Sequence, residues 1–95
     1  MTAYVLVDIS VYDPEGYKAY IQAAPAAVAL YGGKYLARGG PTEVLEGDVH
    51  PARTVILEFD SIERAKEWLH SPEYAPARNQ RHRTAHTKMI VVQGV

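Results

Sequence analysis

Three strand-like runs in this chain are apolar on both faces, which fixes how many layers its fold must supply. In Ala3–Val11 (AYVLVDISV), alternation puts Val5, Val7 and Ile9 on one side and Tyr4, Leu6 and Asp8 on the other. Val55, Leu57 and Phe59 oppose Thr54, Ile56 and Glu58 in Arg53–Asp60, and Met89 and Val91 oppose Ile90 and Val92 in His86–Gln93. Helices packed on a small sheet cover one face only. At roughly 25 cal/mol per Å², leaving a few hundred Å² of apolar surface wet forgoes on the order of 10 kcal/mol, comparable with the whole stability of a small domain. An identical sheet related by a two-fold axis is the simplest cover, so the pattern predicts a homodimer packed sheet to sheet.

Helix signals separate these runs. Asp13-Pro14 supplies an N-cap and a favoured first helical position, and Tyr17, Tyr20, Ile21, Ala24, Val28 and Tyr31 recur at helical spacing. Pro25 predicts a bend or restart near Ala24. The pair Gly32-Gly33 reads as a helix stop and Gly39-Gly40 as a bulge or turn. Lys34–Arg38 and Pro41–Glu46 read as one bent strand, with Gly47–Ala52 as the hairpin loop before Arg53. Ser61 caps a second helix bearing Ile62, Ala65, Trp68 and Leu69 on one face, and Ser71-Pro72 restarts it toward Thr84. The order is βαββαβ, an α+β ferredoxin-like arrangement with a four-stranded antiparallel sheet.

Length and composition narrow the classes. The 95 residues suit a single domain spanning 1–95, and 47% hydrophobic with 22% charged residues is ordinary for a soluble globular chain. Without cysteine there is no disulfide, thiolate metal site or cysteine nucleophile, and a reducing, cytoplasmic setting is expected. No apolar run approaches the ~20 residues that span a bilayer, and no signal-like start precedes the first strand, so no membrane association is expected. Charge is uneven. Residues 1–77 hold six cations against eleven acids, whereas Arg78, Arg81, Arg83 and Lys88 follow with no acid. Such a basic helix can attract nucleic acid, although a solvated face complementing the helix dipole is the plainer reading.

The segments YGGKYLARGG from Tyr31, VLEG from Val44 and EFDSIERAKEWLHSPEY from Glu58, with the closing strand, resemble the family known as domain of unknown function 1330, in the dimeric α+β barrel superfamily. The resemblance spans nearly the whole chain. Pro76 departs from it, standing where such sequences continue a plain helix. It implies the fold and a dimer. The wider superfamily contains cofactor-free monooxygenases, lactone isomerases and haem-handling enzymes, commonly with a pocket between sheet and helices.

The candidate catalytic residues are Asp8, Arg38, Glu58 and His70. With the first and third strands taken as parallel central neighbours, Asp8 and Glu58 fall near corresponding ends. If Glu46 pairs with Arg53, a bulge at Gly39-Gly40 sets Arg38 opposite Asp60 and on the face of Glu58; without it Arg38 points to the other side. Two carboxylates beside a guanidinium can bind a polar substrate or poise one acid for proton transfer, and can equally form an ion-pair network. His70, at the break between helices, is a candidate general base or axial haem ligand, or simply interacts with the helix dipole. Tyr35 and Trp68, with Tyr4 and Tyr20, can line an aromatic pocket or fill a core. Tyr74 and Arg78, four apart, can bind an anionic group. His82 and His86 have the spacing of a metal pair, but the helix breaks between them, so no metal and no resident cofactor is expected. His50 lies in a loop.

The leading expectation is a small-molecule-binding dimeric barrel, in the manner of a cofactor-independent monooxygenase or isomerase acting on a small oxygenated or aromatic acid. The alternative is a non-catalytic homodimeric interaction module, recognisable by an interior filled with side chains and no cavity near Arg38. Nucleic-acid binding through Arg78, Arg81 and Arg83 is the lesser alternative.

Overall fold

The computed structural model describes all residues from Met1 to Val95. Its elements run β1 (Ala3–Val11), α1 (Pro14–Leu30), β2 (Lys34–Arg38), β3 (Arg53–Phe59), α2 (Ile62–Leu69), α3 (Ala75–Thr84) and β4 (Ala85–Gln93). The strands form one antiparallel sheet in the order β2-β3-β1-β4, so the α+β, ferredoxin-like class read from the sequence holds, with the second helical segment in two pieces. One expectation is corrected: β1 and β3 are central neighbours but antiparallel. The chain leaves β1 through α1, enters β2 in the same direction as β1, and reverses into β3.

Local chemistry sets the helix ends. The Asp13 carboxylate accepts the Gly16 N–H at 3.2 Å, and Pro14 occupies the first turn, where its missing N–H is not needed. The helix does not restart at Pro25 but runs continuously to Leu30. It then stops in a Schellman arrangement: the Gly33 N–H reaches the Val28 carbonyl at 2.8 Å and the Gly32 N–H the Ala29 carbonyl at 3.0 Å. Gly32 supports this turn with φ 75°. Ser61 caps α2 by accepting the Arg64 N–H at 3.0 Å. Ser71 joins α2 to α3, donating to the Trp68 carbonyl at 2.8 Å and accepting the Tyr74 N–H at 3.1 Å. Pro76 lies within the first turn of α3, so the family departure there leaves the helix intact.

The strand expected over 41–46 is absent. After Arg38 the Gly39 N–H still bonds the Thr54 carbonyl at 2.8 Å, but Gly39 then takes φ 72° and the chain leaves the sheet until Arg53. Pro41 removes a ladder donor, and Val44, Leu45 and Val49 remain exposed because no inner layer stands beneath them.

The two faces of the sheet differ as alternation dictates. Val5, Val7, Ile9, Val55, Leu57 and Phe59 are buried beneath the helices, in one core with Tyr17, Ala24, Val28, Ala65, Trp68 and Tyr74. On the other face no helix covers the sheet, and only the end of the 39–52 loop lies against it. Ile90 is 62% exposed, Leu36 53% and Val92 47%.

Candidate functional site

A crevice between the helices and the inner face of the sheet gathers the aromatic and cationic side chains. Tyr17 and Tyr20 come from α1, Trp68 from α2, Tyr35 and Arg38 from β2 and Arg53 from β3, over a floor that includes Val7, Ile9 and Leu57. Alternation places Tyr35 here, opposite Leu57. Arg38 arrives through a bulge. Ladder pairing skips Leu36, so Ala37 pairs with Ile56 and Arg38 with Val55 on the inner face. The bulge anticipated at Gly39-Gly40 therefore lies earlier in the strand, and it turns Arg38 away from Glu58 rather than toward it.

Arg38 has a structural task that explains its position. Pro25 has no N–H, so the Ile21 carbonyl four residues earlier lacks its helical donor. The Arg38 guanidinium supplies one, donating Nη2–H to that carbonyl at 2.6 Å. The same guanidinium lies 4.6 Å from the centre of the Tyr35 ring. This substitute donor satisfies the carbonyl that the proline deprives, in a helix that runs unbroken past it.

Arg53 extends along the same side. Its guanidinium carbon lies 5.8 Å from the Tyr17 ring centre, and its buried Nε has no hydrogen-bond partner. Glycine at 39 makes this possible, since a Cβ there would collide with the Arg53 guanidinium. Neither Arg38 nor Arg53 forms an ion pair; the three in the molecule are Lys18–Glu15, His50–Asp48 and Arg64–Glu67. Trp68 stacks between Phe59 at 5.2 Å and Tyr74 at 4.4 Å, and its buried indole N–H is also without a partner.

The crevice phenols Tyr17, Tyr20 and Tyr35 stay protonated and do not serve as bases. The Tyr20 and Tyr74 hydroxyls meet at 2.7 Å, and burial, reinforced by Tyr74, pushes the Tyr20 phenol far above its ordinary range. Burial also raises Tyr17 and Tyr35, against the opposing pull of Arg53 and Arg38 respectively. No carboxylate and no imidazole lines the crevice. It can thus bind an oxygen atom and stabilise negative charge on it, but holds no group of its own to remove a proton. Its free volume is about 20 Å³, space for about one water molecule.

The remaining sequence candidates lie elsewhere. Asp8 and Glu58 project from the uncovered face, where Asp8 pairs with Thr54 and Glu58 with Tyr4. Four residues of strand separate them, roughly 14 Å. Asp8 accepts the Ala52 N–H at 3.0 Å, tethering the end of the 39–52 loop. The structure therefore does not bring Asp8, Arg38 and Glu58 together. His70 is the C-cap of α2 and lines an outer groove with Arg78, away from the crevice. Arg78 donates to the Leu69 carbonyl at 2.6 Å, whereas Tyr74 is fully buried against Trp68 and Tyr20, so those two do not form an anion clamp. The three arginines of α3 form no continuous basic face, because Arg81 is buried and Arg83 is held by Gln80. Sequence reasoning missed Arg53 and Tyr17 as crevice residues. Arg53 was recoverable, since it shares the parity of Val55 and Leu57 and must face inward with them.

No helix is long and apolar enough to cross a membrane. Comparison with known proteins follows the fold. A protein of unknown function from Rhodopseudomonas palustris superposes with a TM-score of 0.80 at 20% identity, covering 99% of this chain and 82% of that one. SnoaB, a cofactor-independent oxygenase from Streptomyces nogalater, superposes with a TM-score of 0.67 at 9% identity, covering 99% and 93%. The protein At3g17210 from Arabidopsis thaliana gives 0.64 at 19% identity, covering 100% and 96%. No curated protein sequence matches. The family profile described as Domain of unknown function (DUF1330) matches residues 2–95, and the chain belongs to that family.

Proposed function

We propose that this protein is a small-molecule-binding dimeric barrel that receives an aromatic or oxygenated acid in the crevice between helices and sheet. The observation that carries this reading is a pair of arginines without carboxylate partners, Arg38 and Arg53, beside an aromatic wall containing an unpartnered Trp68 N–H. Guanidinium groups and an indole N–H suit a carboxylate, enolate or phenolate oxygen, while Tyr17, Tyr35 and Trp68 suit a ring. The likeness in fold to a cofactor-independent oxygenase supports monooxygenase-type chemistry as the activity, with the arginines stabilising a substrate anion that reacts with dioxygen. Because no base lines the crevice, the substrates that fit are those acidic enough to enter as anions or to ionise against the arginines. A crevice this small must widen on binding, and ligand would select the opened state.

The homodimer belongs to the same proposal. Its support is the uncovered face, where Leu36, Ile90 and Val92 stand exposed beside the half-buried Tyr4, Leu6 and Ile56. Trp68 is the sole tryptophan, so its emission reports entry into the crevice directly. Titration with a panel of hydroxylated aromatic acids, followed by Trp68 fluorescence and by oxygen uptake, is the test. A saturable change that weakens at least roughly tenfold in Arg53→Gln is expected. An unchanged spectrum across the panel, with no oxygen consumed, would remove the binding reading.

A second reading has its own support. The near-filled crevice and the Arg38–Ile21 bond are what a non-catalytic interaction module would display, and that module is what a negative titration would leave standing.

A further inference from the structure

The outer groove between the α2–α3 junction and β4 is chemically unlike the crevice. His70, Arg78, Arg81, His82 and Thr87 line it with two apolar side chains, and no acidic residue does. Met89 is the one residue it shares with the crevice. Its free volume is about 350 Å³, against about 20 Å³ inside.

Arg81 is the anomaly. It is 3% exposed, its Nε is buried without a hydrogen-bond partner, and none of the molecule's ion pairs includes it. A guanidinium cannot shed its proton to relieve burial as a lysine would, so a buried arginine with an unpartnered Nε is stabilised by an anion. The helix period puts it there, since Ala77, Arg81 and Thr84 occupy the buried stripe of α3. The Thr87 hydroxyl, facing the same groove from β4, is likewise buried and unpartnered. Two orphaned polar groups from different elements thus converge on one cationic space. Arg78 stands at the same groove, fixed by its bond to the Leu69 carbonyl, and keeps donors to spare.

We infer that this groove is a binding site for a small oxyanion, the phosphate or carboxylate group of a small molecule, held by Arg81, Arg78 and the Thr87 hydroxyl. A planar guanidinium matches two oxygens at once, and a hydroxyl completes the set for a third. His70 and His82 border the site as further donors. The groove keeps its one buried cation at a point rather than along a track, which suits a compact anion and not a nucleic-acid backbone. Burial, with the positive charges of Arg81 and Arg78, holds His82 below its usual pKa, in keeping with a groove whose positive charge has no acidic partner.

Titration of the full chain with inorganic phosphate and, separately, with succinate, at constant ionic strength and followed by calorimetry, tests this and separates the two sources of the oxyanion. Saturable binding of at least one is expected. Arg81→Met should weaken it at least roughly tenfold and Thr87→Val severalfold, while Thr87→Val leaves the Trp68 response to aromatic acids unchanged. If Arg81→Met fails to fold, Thr87→Val and Arg78→Gln carry the comparison. Equal affinity in all variants, or no saturable binding of either anion to the unmodified chain, overturns the assignment. Arg53→Gln, which weakens the crevice, should leave this anion titration unchanged, so failure here and failure of the proposed function are distinguishable.

Discussion

The inner and outer faces of this sheet are built from the same alternating strands, yet they meet opposite fates. Inward, Val5, Val7, Ile9, Val55, Leu57 and Phe59 disappear beneath α1, α2 and α3 around Trp68. Outward, Ile90 and Leu36 keep more than half of their surface in water and Val92 nearly half. The difference is not one of composition along the strands, since Ile56 and Leu57 are equally apolar neighbours. It arises because the helical crossovers of a βαββαβ chain lie on one side. The inner face is completed by the chain's own helices, whereas the outer face is left without a cover of its own.

The largest expected effect sharpens this contrast. Trp68→Ala removes the centre of an aromatic stack and should cost about 3–5 kcal/mol in chemical denaturation. The outward Ile90→Ala should change the stability of a folded single chain by less than about 0.5 kcal/mol and act on association instead. Comparable losses at both positions would erase the distinction between the faces.

A smaller effect tests whether Arg38 serves the fold. Arg38→Met should cost about 1 kcal/mol by leaving the Ile21 carbonyl without its donor. In a Pro25→Ala background the helix supplies that donor itself, and the same substitution should cost less than half as much. Equal costs in the two backgrounds, measured as a double-mutant cycle, would dissociate Arg38 from the proline.

The smallest effect concerns the outer groove. His82 binds its proton less readily in the folded chain than in the unfolded one, so the unfolded state takes up more protons as pH falls. Stability should therefore be full above the unfolded value, about 6.5, and decline as pH drops through the lower folded value. His82→Gln should remove that part of the slope in urea melts across pH 5 to about 7. An unchanged slope would mean His82 is not disfavoured in its charged form.

How far the sequence foretold all this depends on the range of the interactions involved. Caps, helix stop, strand order class and face parity were legible because Asp13, Ser61, Gly32 and the alternation around Val55 act within a few residues. The expected convergence of Asp8, Arg38 and Glu58 was not correct. It depended on taking β1 and β3 as parallel and on a bulge at the wrong residue, and a slip of one residue reverses every side chain in a strand. The pairing of Arg38 with the carbonyl orphaned by Pro25 joins positions 17 apart in sequence, and no local signal announces it. The same holds for the burial of Arg81, whose neighbours Arg78 and Arg83 suggested a solvated basic face.

Sedimentation equilibrium on the unmodified chain at low micromolar concentration tests the two-face account most directly. A species of twice the 10.5 kDa chain mass, shifting toward single chains in Ile90→Asp, is expected. A folded, cooperative species of single-chain mass would contradict it, since the uncovered sheet would then be stable in water without a second copy.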